Sequence, residues 1–195
     1  VNRAADDPAA LVISEHMRAE ISGMEQAIRN NEVAISLVQT AEGSMNEISA
    51  LLVSIRQRAI SAANVGASDD AMTQANQSEI ENALSSVDRI VSSTQFGQYK
   101  LLDGTNARKT MEDGTTREGL RFHVGPDAGH TAAVSIRNMT SSQLGRVAEG
   151  ELPNASNFMS LADIDVSTEQ GSQDALRIID QAITEVATVR GELGA

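Results

Sequence analysis

The chain has 195 residues, a net charge of −12, 41% hydrophobic residues and only 2% aromatics. That apolar share is enough for a core and too high for general disorder. The negative charge disfavours phosphate backbones and anionic lipid, and the scarcity of rings disfavours recognition by base stacking, so neither nucleic acid nor membrane is an expected partner. There is no Cys, which removes disulfides, thiol nucleophiles and zinc–thiolate sites together. No run approaches the ~20 apolar residues of a membrane span.

Val1 is not followed by a basic, apolar leader, and the helical pattern of Val189 to Ala195 runs into the last residues. Both ends read as those of an internal stretch of a longer protein. Asp7-Pro8 predicts a helix start, a capping carboxylate followed by Pro at the first position. An apolar stripe follows through Met17, Ile21, Met24, Ile28, Asn31, Ile35, Val38, Ala41, Met45, Ile48, Leu52, Ile55, Ala59 and Ala62. Its gaps of four and three describe a heptad-like seam with one stammer near Val38, and the expectation is that it forms the core of the chain itself. The helix should end near Asn64-Val65-Gly66. About 55 residues at 1.5 Å each give roughly 80 Å. A globule of this size has a radius of gyration near 16 Å, so the molecule must be a rod.

Ser68-Asp69-Asp70 predicts the cap of a second helix, with a stripe of Ile80, Ala83 or Leu84, Val87 and Ile90 or Val91. Gly97 is its expected stop, and Glu79 and Glu81 are expected in solvent. Leu101-Leu102-Asp103-Gly104-Thr105 reads as a turn, and Glu112-Asp113-Gly114-Thr115-Thr116 as a hairpin signal. Leu120–Val124 and Ala132–Ile136 alternate, which predicts a second hairpin with Leu120, Phe122, Val124, Val134 and Ile136 facing a helix pair. Residues 138–166 have no clear period and read as a connector, with one short helical turn at 142–147. Ser167-Thr168-Glu169-Gln170 is read as a capping box. It opens a last helix with a stripe of Leu176, Ile179, Ile183, Val186, Arg190 and Leu193, expected to pack back on the first.

The fold predicted is therefore mainly α with small β-hairpins, an elongated antiparallel helical rod. One domain spans 1–195: two helices in 1–97, hairpins in 98–137, the connector in 138–166 and the return helix in 167–195. No separate outer domain is expected. No catalytic constellation is found. His16 lacks a second His for a zinc-protease motif, the run 125–131 lacks the spacing and Lys of a phosphate loop, and there is no nucleophile elbow. His123 and His130 flank a turn and are read as solvent-facing. Asp163 and Asp165 are placed in a turn or cap. Three sequons, at Asn76, Asn138 and Asn154, carry little weight because such triplets recur by chance. The chain is read as a non-enzyme without cofactor or metal.

Several runs resemble the bacterial flagellin family, in order along nearly the whole chain. They are Asn2 to Leu11, Gln39-Thr40-Ala41-Glu42-Gly43 with Met45 to Ile48, and Ile55 to Ile60 with Ala62-Ala63-Asn64. Asp88-Arg89-Ile90, Thr94-Gln95-Phe96 and Leu101 to Gly104 follow, then Phe122 to Gly125 and Ile179 to Ala195. The resemblance implies a self-assembling subunit of the extracellular flagellar filament. The full-length chain would be exported by the flagellar type III apparatus with its chaperone, and its partners would be other flagellin subunits. The family's terminal coiled-coil helices lie outside this stretch, which alone is expected to polymerise poorly. The runner-up is the hook–filament junction protein; an enzyme insertion and a generic coiled coil fit less well. In the family a face of the first two helices meets toll-like receptor 5 or neighbouring subunits. By resemblance that face holds Ser54, Ile55, Arg56, Arg58, Ala59, Ile60 and Glu79. Arg56 and Glu79 match recognised members, whereas Ser54 replaces an Arg and Arg58 a Leu, so receptor activation should be weak or absent.

Overall fold

A computed structural model describes residues 8–64, 69–111, 115–147 and 154–194. Helix α1 is Pro8–Ala62, 55 residues without a break. Helix α2 is Asp70–Ser93, and helix α3 is Glu169–Leu193. Between α2 and α3 lie three two-stranded antiparallel pairs: β1 (Gln95–Phe96) with β2 (Tyr99–Lys100), β3 (Arg108–Thr110) with β4 (Thr116–Glu118), and β5 (Leu120–His123) with β6 (Thr131–Val134). A 3-10 turn occupies Leu161–Asp163. The mainly helical rod with small β pairs is thus the fold that the periodicity demands. The proposed cap at Asp7 and the tip at 112–114 lie outside the described residues, as do Val65, Gly66 and Ser68.

The caps differ in detail from the sequence reading. Asp69 caps α2 by accepting the Met72 N–H at 2.7 Å. Gly97 does not stop α2, which is closed by Thr94; its φ of +60° serves the two-residue β1–β2 turn instead. Thr168, not Ser167, caps α3 through the Gly171 N–H, so no reciprocal capping box forms. Gln170 is free to reach Asp174 instead, at 3.2 Å.

The core seam of α1 departs from the predicted one in its first half. From Ala41 onward the stripe is buried as expected: Ala41, Met45, Ile48, Leu52, Ile55, Ala59 and Ala62. Toward the N terminus the predicted line of Met17, Ile21, Met24, Ile28 and Ile35 is exposed. The covered line there is Gly23, Ala27, Asn30, Ala34 and Leu37, again spaced four and three. The β5–β6 hairpin lies along it. Pro126 sits so close to Gly23 that an added Cβ would stand 3.1 Å from its Cβ. Asn30 donates to the His123 carbonyl at 2.8 Å. Leu37 meets Leu120 and Phe122 at a shared cleft. A seam of small residues lets a hairpin approach closely; the larger apolar residues one step around the helix drew the sequence reading away from it. The hairpin's main helix contact is with α1, through β5, rather than with a helix pair.

Helices α2 and α3 both pack along the second half of α1. In α2 the buried residues are Asn76, Ile80, Leu84, Val87 and Val91, which settles the two open alternatives. In α3 the buried face is centred on Ala175, Ile178, Ile179, Ala182, Val186 and Val189, with Leu176, Ile183 and Leu193 only partly covered. The connector is not a solvent loop. Its Met139, Leu144, Phe158, Leu161, Ile164 and Val166 are buried in the same core. The expected helical turn at 142–147 is a short turn over 141–145, ended by Gly145 at φ +61°.

Candidate assembly face

Two features of α1 could meet a partner molecule. The first is the N-terminal apolar line. Met17, Ile21, Met24, Ile28 and Ile35 are each between 46 and 58% exposed. At seven-residue repeats of about 10 Å, this line extends for nearly 30 Å along one side of the helix. Glu15, Glu20, Glu25 and Glu32 accompany it. Single exposed apolar residues are ordinary, but an aligned row is the signature of a contact face. Among the described residues nothing in the chain covers it.

The second feature is the segment 54–60, where the resemblance placed a contact site. At 100° per residue these positions encircle the helix rather than share a face. Ile55 and Ala59 are buried in the chain's own core, so their side chains support the surface from beneath and do not form it. Arg56 lies on the flank toward α3, and Ile60 is exposed on the side away from the seam. Arg56 reaches Asp180 at 2.6 Å. That hydrogen bond and the carboxylate charge hold the guanidinium more firmly protonated than usual. Ser54 and Arg58 lie on the flank toward α2. Arg58 pairs with Glu79 at 2.5 Å, so the carboxylate expected in solvent is engaged within the chain. Both pairs are about half-exposed and contribute little to stability. Val53, absent from the sequence reading, is exposed between the two flanks, one heptad from Ile60. The signal for it was present: positions 53 and 60 share one side of the helix, opposite the seam.

Val33, Leu37, Phe96, Tyr99, Leu120, Arg121 and Phe122 line a cleft of about 190 Å³ where the hairpins meet α1. It gathers three of the chain's four aromatic side chains. It carries no acid, base or nucleophile pair suited to a reaction. His123 and His130 are both exposed, and His130 Nδ1 lies 4.0 Å from an Asp127 oxygen. Among the described residues no group of three or more His, Cys, Asp or Glu is arranged to hold a metal ion, and no helix is long and apolar enough to cross a membrane. Asp163 and Asp165 accept backbone N–H groups in turns, from Met159 and Ser167.

A further set of polar residues escaped the sequence reading: the ones that bind the connector. On α2, Asp88 accepts the Ser141 N–H and hydroxyl, both at 2.8 Å. Also on α2, Gln77 accepts the Val166 N–H and donates to the Ile164 carbonyl. On α3, Asp174 accepts the Ser156 N–H and hydroxyl at 3.1 and 2.8 Å, and Glu185 accepts the Gly145 N–H at 3.1 Å. Asp174 is only 1% exposed. Burial alone would raise its pKa, but the bonds from Ser156 and Gln170, with Arg177 nearby, more than offset this and hold it below the ordinary value.

The architecture has known counterparts. The chain is similar in fold to FliC from Burkholderia pseudomallei, with a TM-score of 0.66 at 17% identity, covering 83% of this chain and 97% of that one. It is also similar to Bacillus cereus flagellin, with a TM-score of 0.63 at 20% identity over 85% of this chain and 81% of that one. In sequence it is 36% identical to the flagellin of Bacillus subtilis, over all of this chain and 66% of the relative. It is 35% identical to a flagellar filament core protein of Brachyspira hyodysenteriae, over all of this chain and 64% of the relative. The chain therefore spans just under two thirds of the length of these relatives. Residues 1–107, which include both N-terminal helices and the first hairpin, match the family described as the bacterial flagellin N-terminal helical region. With the family match over more than half of the chain, and the helical order and hairpins of the fold in agreement, the chain belongs to the bacterial flagellin family.

Proposed function

We propose that this chain is the rod of a structural subunit that self-assembles into the extracellular filament of a bacterial flagellum, serving swimming motility. The observation that carries this reading is the exposed apolar line Met17 to Ile35 on a helix roughly 80 Å long. Such a face needs another helix against it, and a rod offers long lateral faces for parallel packing. Head-to-tail contacts that do not close into a ring give an open helical fibre. Residues 1–195 act as one rod-like domain, with no separate outer domain between the hairpins and α3. The full-length chain leaves the cell through the flagellar export apparatus with a chaperone.

Within this reading Ser54, Arg56, Arg58, Ile60 and Glu79 line the surface that meets neighbouring subunits, with Val53 among them and Ile55 and Ala59 beneath. Toll-like receptor 5 binds this surface weakly at most. Arg58 stands where recognised members carry Leu, and it engages the half-exposed Glu79 carboxylate in an ion pair as well. Deleting the full-length gene in its host tests the function. Loss of filaments without shed flagellin, restored by the gene, is the expected result. Bald cells shedding abundant flagellin would instead identify the hook–filament junction protein and overturn the proposal.

A further inference from the structure

The β3–β4 hairpin carries a charge arrangement that the fold does not use. In its register Lys109 stands directly opposite Arg117, so both project from one face of the ribbon. Like charges so placed, with Cβ atoms about 5 Å apart, destabilise a strand pair. Every residue of both strands is exposed, and among the described residues neither Lys109 nor Arg117 enters an ion pair. Met111, which extends the ladder through its N–H bond to the Thr115 carbonyl, is exposed on the same face. Charge is also unevenly spread along the chain. Six of the 15 Lys and Arg fall in residues 98–137, although the net charge is −12. Residues 69–88, from the cap of α2 through most of its length, hold five carboxylates and no Lys or Arg. Asp69 caps the helix, Asp88 holds the connector and Glu79 pairs with Arg58. Asp70 and Glu81 remain exposed and, among the described residues, outside any ion pair; Glu81 accepts the neutral Gln77 amide. Three turns separate these two, so they share one side of α2 about 16 Å apart.

We propose that the cationic face of the β3–β4 hairpin, Lys109 with Arg117, docks on the Asp70–Glu81 side of α2 in a second copy of this chain. The inference rests on the self-assembly proposed above and adds two different surfaces of one molecule, as a head-to-tail contact requires. Their charges are opposite, which steers the approach and sets the register. Their positions differ as well. Asp70 begins α2, whereas Thr94 at its other end bonds to Ser44 of α1 and leads into the hairpins. Helix α2 is roughly 36 Å long, so in parallel rods the contact displaces each copy along the axis and repeats without closing. A partner's carboxylates also give the Lys109–Arg117 clash a use that the single chain lacks.

Polymerisation of the purified full-length subunit, followed by sedimentation and electron microscopy, tests this. Lys109→Glu with Arg117→Glu sets carboxylates against carboxylates and is expected to slow filament growth about tenfold or more. Asp70→Lys with Glu81→Lys sets cations against cations and should do the same. All four changes in one chain exchange the signs and should restore growth, as should an equal mixture of the two double variants. Lys109→Glu alone strengthens the hairpin by turning the clash into an opposed pair. Hydrogen exchange at Arg108 to Thr110 and Thr116 to Glu118 should then slow about two- to fivefold while filament growth still falls. Growth like the parent's from the Lys109→Glu, Arg117→Glu variant would overturn the proposal and leave the filament function standing. Failure of both the four-fold variant and the mixture to recover would overturn it too, and would assign the cations to a partner other than α2 of this chain. A parent subunit that forms no filament would overturn the function and this inference with it.

Discussion

Leu52→Ala and Ile28→Ala separate the two sides of α1. In sequence both residues belong to one stripe of apolar positions. In the structure Leu52 is fully buried, whereas Ile28 is 58% exposed. Truncating a buried Leu costs about 2–5 kcal/mol, from lost transfer energy and the cavity left behind. For Ile28 three carbons are removed, worth about 2.4 kcal/mol if fully buried. Scaling by the two fifths of the residue that is covered leaves about 1 kcal/mol. Ala then returns a few tenths through its higher helix propensity. The net cost should be about 0.5 kcal/mol. At 2–4 °C per kcal/mol for a chain of this size, Leu52→Ala lowers Tm by about 5–15 °C and Ile28→Ala by about 2 °C or less. Urea unfolding followed by far-ultraviolet circular dichroism measures both. Equal losses would mean that Ile28 is covered within the chain and would refute the reading of its line as a contact face. In the full-length subunit the ranking should change, with Ile28→Ala reducing filament yield despite its small effect on the free chain.

Four further outcomes follow from the geometry. Gly145→Ala should destabilise by about 2 kcal/mol or more, because the residue holds φ +61° and an added Cβ would stand 2.6 Å from the Ile178 carbonyl oxygen; thermal unfolding measures it. Gly23→Leu should detach the β5–β6 hairpin from α1, since Pro126 leaves no room for a large side chain; hydrogen exchange at 120–134 would rise while α1 and α3 keep their protection. Asp174→Asn should reduce stability at neutral pH, and its difference from the parent should shrink in acid. Asp174 has a folded pKa below its unfolded one, so its contribution is present above about pH 3.9 and is lost as pH falls through the lower folded value; urea midpoints at pH 7 and pH 3 measure it. Ser54→Arg with Arg58→Leu should raise toll-like receptor 5 signalling toward that of a recognised flagellin, because it frees Glu79 and restores the apolar position. An unchanged reporter response would refute the assignment of these two positions to receptor contact.

The helices were legible because their signals are local. Asp69 and the Pro-free helical pattern after Pro8 depend on neighbours a few residues away. The β5–β6 hairpin was legible for the same reason, through alternation. What the sequence could not convey was which partner each apolar line meets. Met17 to Ile35 and Met45 to Ala62 share a spacing, yet only the second is covered by this chain. Periodicity identifies a face and says nothing of its occupant. The small-residue seam at Gly23, Ala27 and Ala34 was hidden for a different reason: close approach of a hairpin rewards the absence of side chain, which hydropathy does not register. Of the site residues, Arg58 and Glu79 were named, but their pairing to each other rests on the placement of α2 beside α1.

The connector shows how a segment without periodicity can still be core. A helix or strand pattern arises because regular backbone presents side chains at fixed angles. Residues 138–147 and 154–166 have irregular backbone, so their buried positions follow no period, and their backbone polar groups must be satisfied one by one. The helices meet that demand with side chains far away in sequence: Asp88 lies 53 residues from Ser141, and Gln77 lies 89 from Val166. This is why α2 carries Gln77 and Asp88 beside its inner face, where a simple two-helix contact would favour apolar residues. Those polar residues are unexplained by a three-helix rod. They are required once the groove between α2 and α3 is filled by a backbone that cannot satisfy itself. The lateral spacing of the helices, and with it the surface offered to any neighbouring subunit, therefore depends on the connector as well as on α1.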